Sequence, residues 1–564
     1  MNSYLARWLR LMGLLLTICA ASSAGWAQAP ASSSAVPPPT IRVTTHLVLV
    51  DVVVTDKQGN PVNTLRPEDF VVEENGKPQK ISMFVKAGST TSSAPALPPG
   101  IYSNRPEYRS AGPITMLLLD ALNTEFKDQA YARLQMLRFV QQQYKPGERM
   151  AIFTLTGSLG VLQDFTTDPQ ILYTALQRYK PQPKEFASAA QPTQSGEGAA
   201  TTSQVVADLD PATAPLSDSA AAVAAFAGAQ VAYAEDQRAV ITLNALNSLA
   251  RILGGVPGRK SVIWVTGELP FSLIPENRTV TEAELGEDLP SLNTRRVEQH
   301  AAGNTAEFFR QAHAEEIRET AARLSSAQVA IYPVDARGLS ISTDVDAQEI
   351  MREMARETGG RAYVNQNEIK DGVARAFDDE SATYTLGYYP ENKKYDGKYR
   401  TIKVKVNQSG LELFNRRGYY AIDPTQIKGY NPERDVSSAL SDASVATQVS
   451  FTARVVPPTA NKGKLGVDFL VDANTISAED ASGGKRLNVV FYASVFSPQG
   501  NMLGDHSMKV DQTFSNDVYQ QILQHGMLMH MDLDPKAGGN QVRLAVQDIR
   551  TGLVGTISAP LAAP

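Results

Sequence analysis

The 564-residue chain is poor in the residue types that usually announce chemistry: one cysteine, three tryptophans and six histidines. The cysteine, Cys19, lies inside an N-terminal apolar run. A mature chain without that run has no disulfide, no thiol nucleophile and no cysteine metal site. The histidines, His46, His300, His313, His506, His525 and His530, form no His-Glu-x-x-His pair. His525 and His530 are the closest two, in a stretch carrying Met527, Met529 and Met531. That stretch reads either as a strand with core methionines or as a copper or zinc site. Basic residues are not in excess, with 53 basic against 59 acidic residues and a net charge of −6, so nothing points to nucleic acid. Beyond the N-terminus no apolar run is long enough to span a membrane.

What is present begins with a secretory pattern. Arg7 and Arg10 precede the apolar stretch Leu11–Ala21, and Gly25-Trp26-Ala27 before Gln28 suits signal-peptidase cleavage. Residues 1–27 are therefore expected to be a signal peptide, with a retained anchor or a lipidated Cys19 as the alternatives. Cleavage leaves no membrane span and places the protein in the periplasm, at the outer envelope or outside the cell. Residues 28–40, ending in Pro37-Pro38-Pro39, read as a linker.

The middle of the chain alternates apolar strand runs with helical periodicity. Strands are expected at Ile114–Leu119, Arg149–Leu155, Lys260–Val265 and Val329–Val334. Helices are expected at Asp128–Tyr144, Asp168–Tyr179, about Ser219–Leu253, Ala306–Ser325, Ala347–Thr358 and Glu368–Phe377. This pitch predicts an α/β fold, an open, mainly parallel and doubly wound sheet over residues 113–380, with a low-complexity insertion at about 183–216. Ligands of such sheets sit beyond the carboxyl ends of the strands. On either side the chain reads as β. Residues 41–88, with an expected hairpin of Phe70–Glu74 and Lys80–Val85 about Asn75-Gly76, and residues 381–421 are each too few for a sandwich. Joined, they complete one discontinuous sandwich with the α/β block inserted in it. Residues 422–445 read as a connector and 449–560 as a second β-sandwich, so the chain is multidomain. Gly255–Ser261 looks like a phosphate loop, but its spacing is one residue off and it opens a strand instead of a helix, which excludes a nucleotide.

Several segments together, Val48–Val54, Leu65–Phe70, Leu117–Asp120, Pro257–Lys260, Glu357–Gly360, Tyr384–Tyr389 and Arg417–Tyr419, resemble the von Willebrand factor A-related proteins of Acidobacteria. That resemblance covers about residues 41–422 and implies an A-domain, usually an adhesion or assembly module with a metal-ion-dependent site of the form Asp-x-Ser-x-Ser. Here the segment is Asp120-Ala121-Leu122-Asn123-Thr124. Asp120 and Thr124 match, Leu122 cannot ligate, Thr242 stands for the second loop, and Glu268 after Thr266-Gly267 replaces an expected Asp. The implied ion is Mg2+ or Mn2+, held by Asp120, Thr124, Thr242 and Glu268. The alternative is a degenerate site in which Asp120 caps a turn or the next helix. The expected function is non-enzymatic binding of a protein or cell-envelope ligand, with a secreted hydrolase or a structural scaffold as the other readings. The tyrosines of 384–420 read as cross-strand packing, with a carbohydrate surface as the alternative.

Overall fold

The computed structural model describes residues 47–86, 97–105, 114–145, 148–183, 214–271, 313–339, 345–379, 383–423, 431–442, 444–458, 463–534 and 536–561, without the side chains of 214–232 and 345–346. The expected signal peptide, the linker and the low-complexity insertion lie outside them. In chain order, β1 (Val48–Asp56), β2 (Phe70–Glu74), β3 (Lys77–Gln79), β4 (Ile81–Lys86) and β5 (Ile101–Ser103) come first. The α/β block runs β6 (Ile114–Asp120), α1 (Phe126–Gln142), β7 (Arg149–Leu155), β8 (Leu159–Thr166), α2 (Pro169–Arg178), α3 (Ala214–Leu253), β9 (Lys260–Thr266), α4 (Ala314–Ser326), β10 (Val329–Asp335), α5 (Val345–Thr358) and α6 (Ile369–Asp378). Then follow β11 (Thr383–Tyr388), β12 (Tyr399–Val406), β13 (Leu411–Asn415), β14 (Gly418–Tyr420) and α7 (Pro432–Ser441). The last part holds β15 (Phe451–Val456), β16 (Leu465–Val471), β17 (Glu479–Ala481), β18 (Gly484–Phe496), β19 (Met502–Phe514), α8 (Asn516–His525), β20 (Met527–Leu533), β21 (Gln541–Asp548) and β22 (Val554–Pro560).

The block's sheet has the order β10-β9-β6-β7-β8. Four strands are parallel, and β8 folds back antiparallel on β7, so the sheet is mixed. Every residue of β6, β9 and β10 is buried, which is why the centres of these segments read as apolar runs instead of alternating ones, with polar residues mostly at their ends. One face packs against α3, α4 and α5 through Leu246, Leu249, Leu324 and Met351. The other packs against α1, α2 and α6 through Met136, Phe139, Leu176 and Val373. Buried apolar side chains on both faces fix the sheet as the middle layer.

The two β segments flanking the block pair directly. β1 lies between β11 and β13, with Val50 opposite Leu386 and Val53 opposite Phe414. β2 pairs with β12, Val72 opposite Val404. The resulting sheets, β13-β1-β11-β4 and β14-β12-β2-β3, enclose one core of Val50, Val52, Phe70, Tyr384, Leu386 and Ile402. The expected hairpin is different in detail. Asn75 and Gly76 adopt positive φ, 49° and 76°, and turn β2 onto the short β3, while β4 crosses to the opposite sheet and pairs with β11. Pro78 removes a backbone donor from β3, which suits an edge strand. Between the sheets Glu74 is paired with Arg400, both side chains 3% exposed, and Glu74 also accepts hydrogen bonds from the Tyr388 and Tyr419 hydroxyls. Tyr384 and Tyr388 are thus core and network residues, as the packing reading has it.

The C-terminal part is two facing sheets, β20-β16-β15-β5 and β17-β18-β21-β22 with β19 on the other edge of β18, around Phe451, Phe469, Phe491 and Val546. Its strand β5 comes from the stretch between the first β segment and the α/β block, and the connector 422–445 contains α7, whose Asn431 side chain caps the first turn. The phosphate-loop look-alike joins this part to the block. The Thr447 hydroxyl donates to Ile252 O and accepts from Gly255 N–H, and Thr447 N–H donates to Arg251 O, so Thr447 satisfies carbonyls at the end of α3. A Cβ at Gly255 would lie 1.7 Å from Thr447 O, so only glycine fits this approach. Among the described residues no helix is long and apolar enough to cross a membrane.

At the amino end of β9, Lys260 is 1% exposed and its ammonium donates to Val256 O at 2.7 Å. Burial brings its pKa down from 10.5 to about 7, opposed by the field of Asp51. Between these values the unfolded chain holds the extra proton, so stability climbs as pH rises from about 7 towards 10.5. Denaturant melts at pH 7 and pH 9.5 should show that climb in the wild type, and Lys260→Met should abolish it and gain about 1 kcal/mol or more at pH 7. A wild-type stability that does not change between these pH values contradicts this account of Lys260.

Candidate functional site

The parallel sheet changes direction between β6 and β9. From β6 the chain crosses to β7 on one side, and from β9 to β10 on the other. Neighbouring strands whose connections diverge leave a crevice at their carboxyl ends, the usual ligand position in open α/β sheets. Asp120 ends β6 and Thr266 ends β9, so the sequence-predicted aspartate stands at this switch point.

Asp120 is 3% exposed and its carboxylate accepts four hydrogen bonds. Oδ1 accepts from Asn123 N–H at 2.9 Å. Oδ2 accepts from Asn123 Nδ2 at 3.0 Å, Trp264 Nε1 at 3.0 Å and Thr266 Oγ1 at 2.8 Å. Burial raises the Asp120 pKa, and these four bonds oppose the rise. The Thr124 hydroxyl accepts from Gly267 N–H at 2.9 Å. Thr242 on α3 accepts from Asn123 Nδ2 at 3.2 Å and donates to Arg238 O at 2.8 Å. Glu268 turns away to an ion pair with Arg238 at 2.5 Å. The structure therefore gathers Asp120, Thr124 and Thr242 around Asn123 and sets Glu268 on a separate partner. Leu122 is wholly buried in the core that the sheet shares with α3, α4 and α5.

A divalent ion of the magnesium type asks for about six hard oxygens in octahedral array. At this edge both Asp120 oxygens face N–H or O–H hydrogens, the Thr124 oxygen faces an N–H, and Leu122 fills a ligand position with hydrocarbon. Asn123 Oδ1 is the one buried oxygen here with no hydrogen-bond partner, far short of a coordination shell. The donor set does not fit Mg2+ or Mn2+. Elsewhere, His525 ends α8, while His530 on β20 bonds Asp468 and Asp532 at an exposed position. Met527 and Met531 are core. Among the described residues no group of three or more histidine, cysteine, aspartate or glutamate side chains is placed to hold a metal.

Several residues that organise the edge carried no motif. Gln129 on α1 is 3% exposed and donates to Thr124 O and Gln182 O, while its oxygen accepts from Tyr179 and Gln182 N–H. Asp335 ends β10 and takes a two-point contact from Arg337, both bonds at 2.9 Å. Ala336 N–H donates to Thr266 O and ties the ends of β10 and β9. Over this knitted floor two large apolar side chains stand in solvent: Phe126, which opens α1, is 55% exposed, and Leu339, after Gly338 turns against Tyr131 of α1, is 65% exposed.

No known family model matches the chain, and no curated protein matches it. Solved structures that align with it include an aerotolerance-related membrane protein of Bacteroides fragilis, at 11% identity over 48% of this chain and 98% of that one, with a TM-score of 0.21. The conserved hypothetical protein BatB of Bacteroides thetaiotaomicron aligns at 12% identity over 48% of this chain and 99% of that one, TM-score 0.21. A von Willebrand factor type A protein of Catenulispora acidiphila aligns at 9% identity over 71% of this chain and 82% of that one, TM-score 0.20. Scores this low carry no inference by themselves.

Removing the Asp120 carboxylate strands four buried donors, so Asp120→Ala should lower the unfolding free energy by about 3 kcal/mol or more. Urea denaturation measures this, and a loss under about 1 kcal/mol would show that the four bonds are not holding the edge.

Proposed function

We propose that this chain is an exported, non-enzymatic protein of von Willebrand factor A type that recognises a protein or another cell-envelope component at the carboxyl edge of its parallel sheet, with no divalent ion on Asp120. The observation that carries the reading is the switch point between β6 and β9, because that is where a fold of this kind presents its ligand face. The A-domain assignment is supported by the strand order, by the antiparallel edge strand β8, by helices on both faces in the manner of a doubly wound sheet, and by the sequence landmarks at Leu117–Asp120 and Glu357–Gly360. The flanking β-sheets then act as a mount that holds this edge outward. Export rests on the N-terminal secretory pattern.

Hydrogen bonds make the floor of the edge rigid, and exposed Phe126 and Leu339 supply apolar anchors of the type that dominate protein recognition. A preorganised edge binds without an ordering cost, which favours a rigid partner surface. The test is capture of envelope components on the immobilised chain, wild type against Phe126→Ala/Leu339→Ala. The double variant should fold with stability within roughly 0.5 kcal/mol of wild type and retain its partner about tenfold or more less well. Equal retention by both would overturn recognition at this edge.

A further inference from the structure

The C-terminal sandwich carries a long strand with an open edge. β19 runs for 13 residues and pairs with β18, and among the described residues no strand pairs with its other side. The other edge strands are shorter: β3, β5 and β14 have three residues each, and β8 has eight. At about 3.4 Å per residue, the free row of N–H and C=O groups on β19 extends over roughly 40 Å. Such an edge templates another strand unless proline, a bulge or a short length blunts it. β19 contains no proline, and its register on β18 is unbroken from Gly504 to Phe514. None of its residues is buried.

The charges on this strand say what fits beside it. Met508, Val510 and Phe514 lean on the C-terminal core, so Asp505, Ser507, Lys509 and Asp511 lie on the outer face. Two copies of β19 related by a two-fold axis pair antiparallel with like faces together. Residues opposite one another are then both odd-numbered or both even-numbered. Centring the pair on Met508, the middle of the strand, sets Asp505 opposite Asp511 at two positions, which is repulsive. Centring it on Ser507 instead sets Asp505 of each copy opposite the other copy's Lys509, and aligns Met502–Gln512 of the two strands. Within one chain Asp505 is exposed and has no ion pair among the described residues. Lys509 reaches only Asp511, at 3.4 Å, and its side chain is 54% exposed. Asp511 is held by Arg486 at 2.8 Å, so Lys509 is available to a second carboxylate. Centring on Val510 would match Lys509 with Asp511, but over a shorter overlap and on the carboxylate that Arg486 already holds. The Ser507 register also covers Met502 and Leu503, which one chain leaves 51% and 37% exposed.

We propose that this chain pairs with a second copy of itself through β19, antiparallel about Ser507, with Asp505 and Lys509 exchanged across the two-fold axis. The sheets that hold β19 in the two copies then run on as one. The contact uses the same strand from both copies, so it closes at two and leaves neither β19 edge open to a third.

Sedimentation velocity of the full chain over a concentration series tests this. The wild type should show a monomer–dimer equilibrium in the micromolar range. Asp505→Lys alone and Lys509→Asp alone should each weaken it about tenfold or more, because each sets like charges opposite one another at two positions. An equimolar mixture of the two variants should restore dimers, since opposite charges face again at both positions. Both residues are exposed, so each variant should keep the wild-type thermal melt. A wild type that is monomeric throughout the micromolar range, association that D505K leaves unchanged, or single variants that the mixture does not rescue would overturn the proposal.

Discussion

The buried carboxylate of Asp120 is the constraint on which the functional edge depends. Withdrawing a carboxylate from water costs several kcal/mol even after the protein relaxes. Four donors answer that cost, and they come from three residues: Asn123 on the following loop, and Trp264 and Thr266 on the neighbouring strand. Because two donors sit on the loop and two on β9, the carboxylate fixes β6, β9 and the loop between β6 and α1 in one arrangement. Thr124 then fixes Gly267, and Thr242 fixes Asn123 to α3. In this structure hydrogen bonds hold that geometry, and Leu122 is buried in the adjoining core.

A rigid edge needs a rigid mount, and the topology supplies one. The chain passes from β1–β4 through β5, an edge strand of the C-terminal sheets, into the α/β block, and leaves it into β11, which pairs with β1 over six residues. The block is thus anchored in a C-terminal sheet at its start and in the sheet of β1 at its end, and the Glu74–Arg400 pair with Tyr388 and Tyr419 locks the latter to its facing layer. Thr447, seated against Gly255, closes the third junction. Each junction is made of buried hydrogen bonds with few alternative partners, which gives directionality that apolar contact alone lacks.

The elements legible in the sequence were those whose burial pattern is strong. β6, β9 and β10 are buried along their whole length and read as apolar runs, and α5 and α6 carry clear helical periodicity. β5 and β3 are three residues each, too short for any periodicity, and β8 is half-exposed along most of its length, so it carries little pattern. α7 is one short amphipathic segment among turn residues. For the site, the position of Asp120 followed from the strand that it ends. Its role did not, because an acceptor's partners are set by tertiary placement: Trp264 reads as a core residue and Asn123 as a loop residue until β6 and β9 are side by side. Glu268 was drawn into the metal set by its spacing from β9, and Arg238 on α3, thirty residues earlier, claims it instead.

Recognition at this edge, as proposed, needs no ion on Asp120, because hydrogen bonds hold the carboxylate. Calorimetric titration of the metal-stripped chain with Mn2+ is the sharpest check. No saturable heat is expected in the micromolar to low-millimolar range, for wild type and Asp120→Asn alike. Saturable binding by the wild type that Asp120→Asn abolishes would contradict it.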